Sequence, residues 1–249
     1  VLRENALSHN DHSPPPGWGS EPLTQFLDAW RQNQFATFVN RRAEVEDLVM
    51  IAAMFRKVFD DWVNPKPLFA ANFFHRAYSA YLSSCSAAMA GAVHDTHALL
   101  RVCLEQVGYG VYICDDEERF NCWMNRHTDE ESKKAVMKEF THGNIKKNIA
   151  NSCPNLEKIY SELYEQTINF GGHPNVGGVS FNSKIEQIDE NSLRISTIYL
   201  HEDGLELQSV LITSIQVGIC ALKLAGVVYP DRITATGVAD QVHGIARRY

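Results

Sequence analysis

Apolar positions recur at three- and four-residue spacing along most of the chain, the period of helices that bury one face. Leu23, Phe26, Leu27 and Trp30 open the pattern, with Pro22 suited to a first helical turn. From Arg41 to Trp62 the buried face is Val45, Leu48, Val49, Ala52, Phe55 and Phe59, and Asn64-Pro65-Lys66-Pro67 ends it. A third helix, about Leu68 to Ala90, begins with aromatics and turns small in SSCSAAMAGA, which lets another helix approach closely. Thr128 with Glu131 is a capping-box pattern for a helix carrying Ala135, Val136 and Phe140, and Gly143 is expected to interrupt that helix. Cys153-Pro154 opens a further helix with Leu156, Ile159, Tyr160, Leu163 and Thr167 on one face, stopped at Gly171-Gly172.

The period then changes to two. Val179 to Gln187 and Leu193 to Tyr199 alternate apolar and polar residues around Asp189-Glu190-Asn191, which predicts a β-hairpin. An isolated hairpin is marginal in water, so its edges are the expected place for a homo-oligomer contact. Leu205 to Val228 is apolar on most sides and reads as a buried core helix. Its sixteen-residue uncharged run, Leu207 to Leu222, is short of the ~20 residues that span a bilayer. The pattern predicts a mainly α, single-domain bundle over 21–229, with a hairpin at about 179–200 inserted before the last long helix. A proline-rich lead-in (1–20) precedes it, and a weakly helical tail (230–249) follows.

The helix from Ala92 to Cys114 is expected at the centre, because its apolar surface is broken only by one polar stripe. His94, His97, Arg101, Glu105, Gly108 and Tyr112 fall within an arc of roughly 80°. Arg101 and Glu105, one turn apart, can pair with each other. The strongest chemical candidate joins them to the loop Gly171-Gly172-His173-Pro174-Asn175-Val176-Gly177-Gly178. If that loop folds over the stripe, Glu105 or His173 can act as a general base and Arg101 can stabilise negative charge, with His94, His97, Tyr112 and Asn175 as ligand contacts. The competing reading is that Arg101 and Glu105 satisfy each other and hold helix register. His94 and His97 have a helical spacing that metal sites use, but Glu-x-x-His does not recur on two helices as a bundle metal site needs, so no metal is assigned.

Charge and composition narrow the field. A net charge of −7 argues against wrapping duplex nucleic acid. Lys133, Lys134, Lys138, Lys146 and Lys147 are interleaved with acidic residues and read as a solvated helix face. Six cysteines without CxxC spacing, several in apolar runs, read as reduced thiols of a cytosolic protein. Neither a secretory leader nor a membrane partner is expected from these patterns. There is no GxSxG, no GxGxxG after a strand and no GxxxxGK[ST], so no cofactor is implied.

At FHRAYSAYLSSCSAAM, ALLRVCLEQVGYGVYI and INFGGHPNVGGV the chain resembles a group of uncharacterised bacterial all-helical proteins. These combine an Arg-x-x-x-Glu helix with a later His-Pro-Asn loop and are compared with HEPN-like bundles. The resemblance implies a helical bundle in which Arg101, Glu105 and His173 meet. HEPN ribonucleases carry Arg-x(4 to 6)-His in a helix. Here that spacing occurs only at Arg3 to His9 and Arg194 to His201, neither on an expected bundle helix, which argues against that activity. Two functions follow as expectations: a binding or regulatory module for a small polar or anionic ligand, or a hydrolase acting on a phosphodiester or similar anion.

Overall fold

The computed structural model describes residues 13–114, 116–172 and 176–249. Four long helices make the frame: α1 (Pro22–Asn40), α2 (Arg42–Phe59), α3 (Leu68–Met89) and α4 (Val93–Ile113). Shorter ones follow: α5 (Glu117–Met124), α6 (Glu130–Glu139), α7 (His142–Ser152) and α8 (Pro154–Thr167), which runs into a π-helical turn at Ile168–Gly172. After α9 (Val176–Phe181) come β1 (Ser183–Asp189) and β2 (Ser192–Thr197), then α10 (Leu205–Val228), α11 (Pro230–Ala235) and α12 (Val238–Ala246). The protein is therefore a mainly α bundle with a two-stranded antiparallel hairpin before the last long helices.

α4 and α10 lie at the centre. α4 packs most extensively on α3, and its other side meets α10, α7 and α8. Leu100, Cys103, Leu104 and Val107 are fully buried on α4, and Val210, Leu211 and Ile215 are fully buried on α10. Each such leucine, valine or isoleucine contributes about 1.5–3 kcal/mol of transfer free energy relative to exposure. α10 is long and apolar enough to cross a membrane by length and composition alone, yet most of it is enclosed by α2, α3, α4 and α8. The turn between α3 and α4 depends on Gly91, whose φ of +80° disfavours any side chain. A Cβ there would also lie 2.3 Å from the His201 carbonyl oxygen, because the His201 N–H donates to the Gly91 carbonyl at 2.8 Å.

Local details depart from the expected boundaries for identifiable reasons. Thr128 has helical backbone angles and ends a 3₁₀ turn at Asn125–His127, so the first extended residue, Asp129, caps α6 by accepting from the Ser132 N–H at 2.7 Å. The break before α7 falls at Phe140–Thr141, where Thr141 accepts from the Asn144 N–H, and Gly143 lies inside the new helix. Val179 and Phe181, expected in the first strand, belong to α9, and β1 starts only at Ser183.

The tail is firmly part of the bundle. Val238, Val242 and Ile245 are buried against α2 and α10. Beyond them Arg248 pairs with the buried Asp47 of α2, and the Tyr249 hydroxyl donates to the same carboxylate at 2.8 Å. The lysines at 133, 134, 138, 146 and 147 are exposed, as a solvated face requires.

Candidate functional site

The polar stripe of α4 is divided into three stations with different neighbours. At its N-terminal end His97 is 3% exposed, with the Phe170 ring 5.5 Å from its own. The π turn presses here: a Cβ on Gly171 would sit 2.5 Å from both the His94 carbonyl oxygen and His97 Cβ. Among the described residues, the buried Nδ1 atoms of His94 and His97 have no hydrogen-bond partner. Burial, reinforced by the neighbouring His94, pushes the His97 imidazole down to about 4, so it is neutral at pH 7.

One turn further on, Arg101 Nε donates to Glu105 Oε1 at 2.9 Å. Arg101 Nη2 donates to the Tyr164 hydroxyl at 3.3 Å, and that hydroxyl donates to Glu105 Oε1 at 3.2 Å. The three groups close a ring between α4 and α8. The His142 ring at the start of α7 stacks on Tyr164 at 3.8 Å with an 11° tilt, which fixes the tyrosine from its other side. Burial, then the Glu105 charge, raises the Tyr164 phenol above its ordinary range, so it remains a hydroxyl that can donate. Burial also lowers His142, with Lys146 and Arg101 adding to the effect against Glu165 and Glu105. The mouth of this station is open, since the Arg101 side chain is 22% exposed and that of Glu105 41%. Lys146, 3.4 Å from Glu157, and Ser161, which donates to Glu157 at 2.7 Å, add polar groups from the same two helices, α7 and α8.

The third station is separate. The Tyr112 hydroxyl donates to Glu139 Oε1 at 2.7 Å, and the Arg119 guanidinium lies 4.1 Å above the Tyr112 ring while pairing with Asp116 at 3.1 Å. Burial and the Glu139 hydrogen bond push the Tyr112 phenol up to about 12. Between the second and third stations, Gly108 leaves a gap that Tyr160 fills. Thus Arg101 and Glu105 meet, while His94 and His97 lie against the π turn and Tyr112 faces Glu139 and Arg119. His173 and Asn175 lie outside the described residues.

Tyr164 and His142 are the site residues that sequence reasoning missed. Tyr164 stands four residues after Tyr160 on the same face of α8, so a polar-tipped aromatic pair facing the stripe was available as a signal. His142 offered none, because its stacking depends on the angle between α7 and α8. Among the described residues, no three His, Cys, Asp or Glu side chains converge as a metal site would need. Two larger grooves lie away from the stripe. One, of about 700 Å³, runs past Ser180, Lys184, His201 and Glu206. The other, of about 450 Å³, is mainly apolar and lies between α8, α10 and α12. Arg194 lies on β2 and His201 beyond it, so the Arg-to-His spacing there does not fall on a helix. Comparison with protein-family models, curated proteins and solved structures finds no match.

Proposed function

We propose that this chain is a helical binding module that holds a small anion at the Arg101 station of α4, α7 and α8. The observation that carries the reading is the state of the Arg101 guanidinium. Its bonds to Glu105 and Tyr164 use two of its five N–H donors, and its side chain still reaches solvent. A planar cation held rigidly at an opening suits a carboxylate or phosphate oxygen. Glu105 then acts as an internal placeholder: it occupies the guanidinium when no ligand is present, and an incoming anion must displace it. Tyr164 keeps its hydroxyl proton for either acceptor, and the stacked His142 holds the phenol in place. Because Glu105 is engaged by two donors, the arrangement favours binding over proton abstraction.

Titration calorimetry with inorganic phosphate and with acetate, at pH 7 and low salt, tests this reading. The parent protein should give saturable heat with at least one of them. Arg101→Gln should abolish it, whereas Glu105→Gln should bind several-fold more tightly because the competing carboxylate is gone. Absence of saturable binding in both parent and Glu105→Gln overturns the reading.

A further inference from the structure

The hairpin projects from the bundle with its sheet unfinished. β1 and β2 are the two strands of the sheet, so the outer edge of β1 has no strand beside it among the described residues. Every residue of β2 is exposed, as is all of β1 except Ser183 and Glu186. The register places Ile185 opposite Ile195 and Gln187 opposite Leu193 on one face, and Lys184 opposite Ser196 and Glu186 opposite Arg194 on the other. On the apolar face Ile185, Leu193 and Ile195 are 64%, 67% and 70% exposed. A lone two-stranded sheet with an open apolar face is marginal in water, and three or more strands are the usual threshold for stability. An unpaired apolar edge is also a template for strand addition, which proteins normally block or use.

The order of charges on β1 selects what completes it. Consider β1 pairing antiparallel with β1 of a second copy about a two-fold axis through Ile185. Each Lys184 then faces the partner's Glu186, giving two opposite-charge pairs, and Ser183 faces the partner's Gln187. Moving the axis to either neighbouring residue places Lys184 against its own copy or Glu186 against its own copy, which is repulsive. β2 cannot do the same, because Arg194 is its one charged residue and meets only serine or another arginine in such pairings. Pairing β1 with the partner's β2 is heterologous and does not close on a two-fold axis. We propose that the outer edge of β1 is a self-complementary dimer interface, in which two hairpins form one four-stranded sheet centred on Ile185. Its apolar face then carries Ile195, Ile185 and their two copies in a row, with both Leu193 side chains beside them. The same-strand contact between Lys184 and Glu186, 2.6 Å in the single chain, shows that the two side chains already reach the same stretch of edge. This inference is independent of the anion site.

The axis makes a distinctive prediction, because Ile185 is the residue that faces its own copy. Sedimentation equilibrium of the parent chain up to about 100 µM should show a monomer–dimer equilibrium. Under mild oxidation Ile185→Cys should form a covalent dimer much faster than the parent chain, whose own six cysteines serve as the background, and much faster than Gln187→Cys. Lys184→Glu creates two like-charge pairs while leaving its hairpin neighbour Ser196 uncharged, so it should raise the dissociation constant roughly tenfold. The triple variant K184E/E186K/R194E reverses the charges at these three positions and restores both the pairs among them within the hairpin and those between copies, so it should dimerise like the parent. Helical circular dichroism unchanged in each variant shows that the bundle remains folded. A parent chain that stays monomeric overturns the proposal. So does a dimer in which Ile185→Cys has no advantage over Gln187→Cys, or in which Lys184→Glu has no effect.

Discussion

The centre of the bundle and the hairpin answer the same question in opposite ways. On α4 and α10, apolar residues are covered on nearly every side, and the polar stripe of α4 is met by tyrosines, a histidine and a carboxylate from other helices. On β1 and β2 the apolar residues are regularly spaced yet remain open to water. Regular patterning therefore marks a surface that needs covering without saying whether the same chain supplies the cover. The centre of the bundle meets its own demand. The hairpin leaves its demand to something outside.

The sharpest way to break this contrast is to remove packing from the centre. Leu104→Ala should cost about 2–5 kcal/mol in chemical denaturation, the range for buried leucine truncations in which the cavity cannot collapse. Leu104 is wholly buried and surrounded by several helices, so a value near 3 kcal/mol is expected. A loss below about 1 kcal/mol would mean that the centre is far looser than its burial implies.

Acid probes the buried end of the stripe next. His97 has its imidazole lowered from 6.5 to about 4 by burial, so the unfolded chain takes up a proton before the folded one does. Stability is therefore full above pH 6.5 and declines as pH falls toward 4, with a ceiling of about 3 kcal/mol from this residue. His142 and His201 are lowered in the same direction, by burial in each case, and steepen the decline. Melting temperatures of the parent and His97→Phe across pH 7 to 4 measure it. The variant should show the flatter profile, and parallel profiles would remove His97 from the explanation.

How much of this was legible beforehand follows from the range of each interaction. Helix periodicity is local, and the long helices appear where their apolar spacing predicts them. The Arg101–Glu105 pair is likewise local, one turn apart on one helix. Tyr164 and His142 reach that pair from α8 and α7 through contacts that leave no short-range pattern. The tail read as weakly helical because its buried residues Val238, Val242 and Ile245 are few. What anchors its end, Asp47, lies on α2 near the other end of the chain. The strand boundary moved for a different reason: Val179 and Phe181 alternate with polar residues as a strand would, but this short stretch takes up α9 before β1 begins.

The middle of the stripe should be far less sensitive than its helix position suggests. If Arg101 were sealed, Glu105→Ala would leave a buried unpaired charge and cost roughly 3 to 5 kcal/mol. With the Glu105 side chain 41% exposed and Arg101 in contact with solvent, water screens the pair and can take over the lost contact. The expected cost falls to about 1 kcal/mol or less. A thermal melt at matched pH and concentration distinguishes the two. The small value keeps the station as an open binding site, and the large one makes it a structural brace.

The smallest effect belongs to the hairpin, and it depends on concentration. In dilute monomer Ile185→Thr should change stability by no more than about 0.5 kcal/mol, because the side chain is 64% exposed, loses little burial, and threonine suits a strand as well as isoleucine does. At high concentration the parent gains stability from association, since a partner that binds only the folded chain stabilises it by mass action. The variant has lost two apolar side chains from the shared face and should gain less. Melting temperatures of the parent and variant should therefore coincide when dilute and separate as concentration rises. Separation already present at the lowest concentration would mean that Ile185 is covered within a single chain. Coincidence at every concentration would mean that the apolar face contributes nothing to a dimer, and the contrast between a self-sufficient bundle centre and an incomplete hairpin would lose its energetic basis.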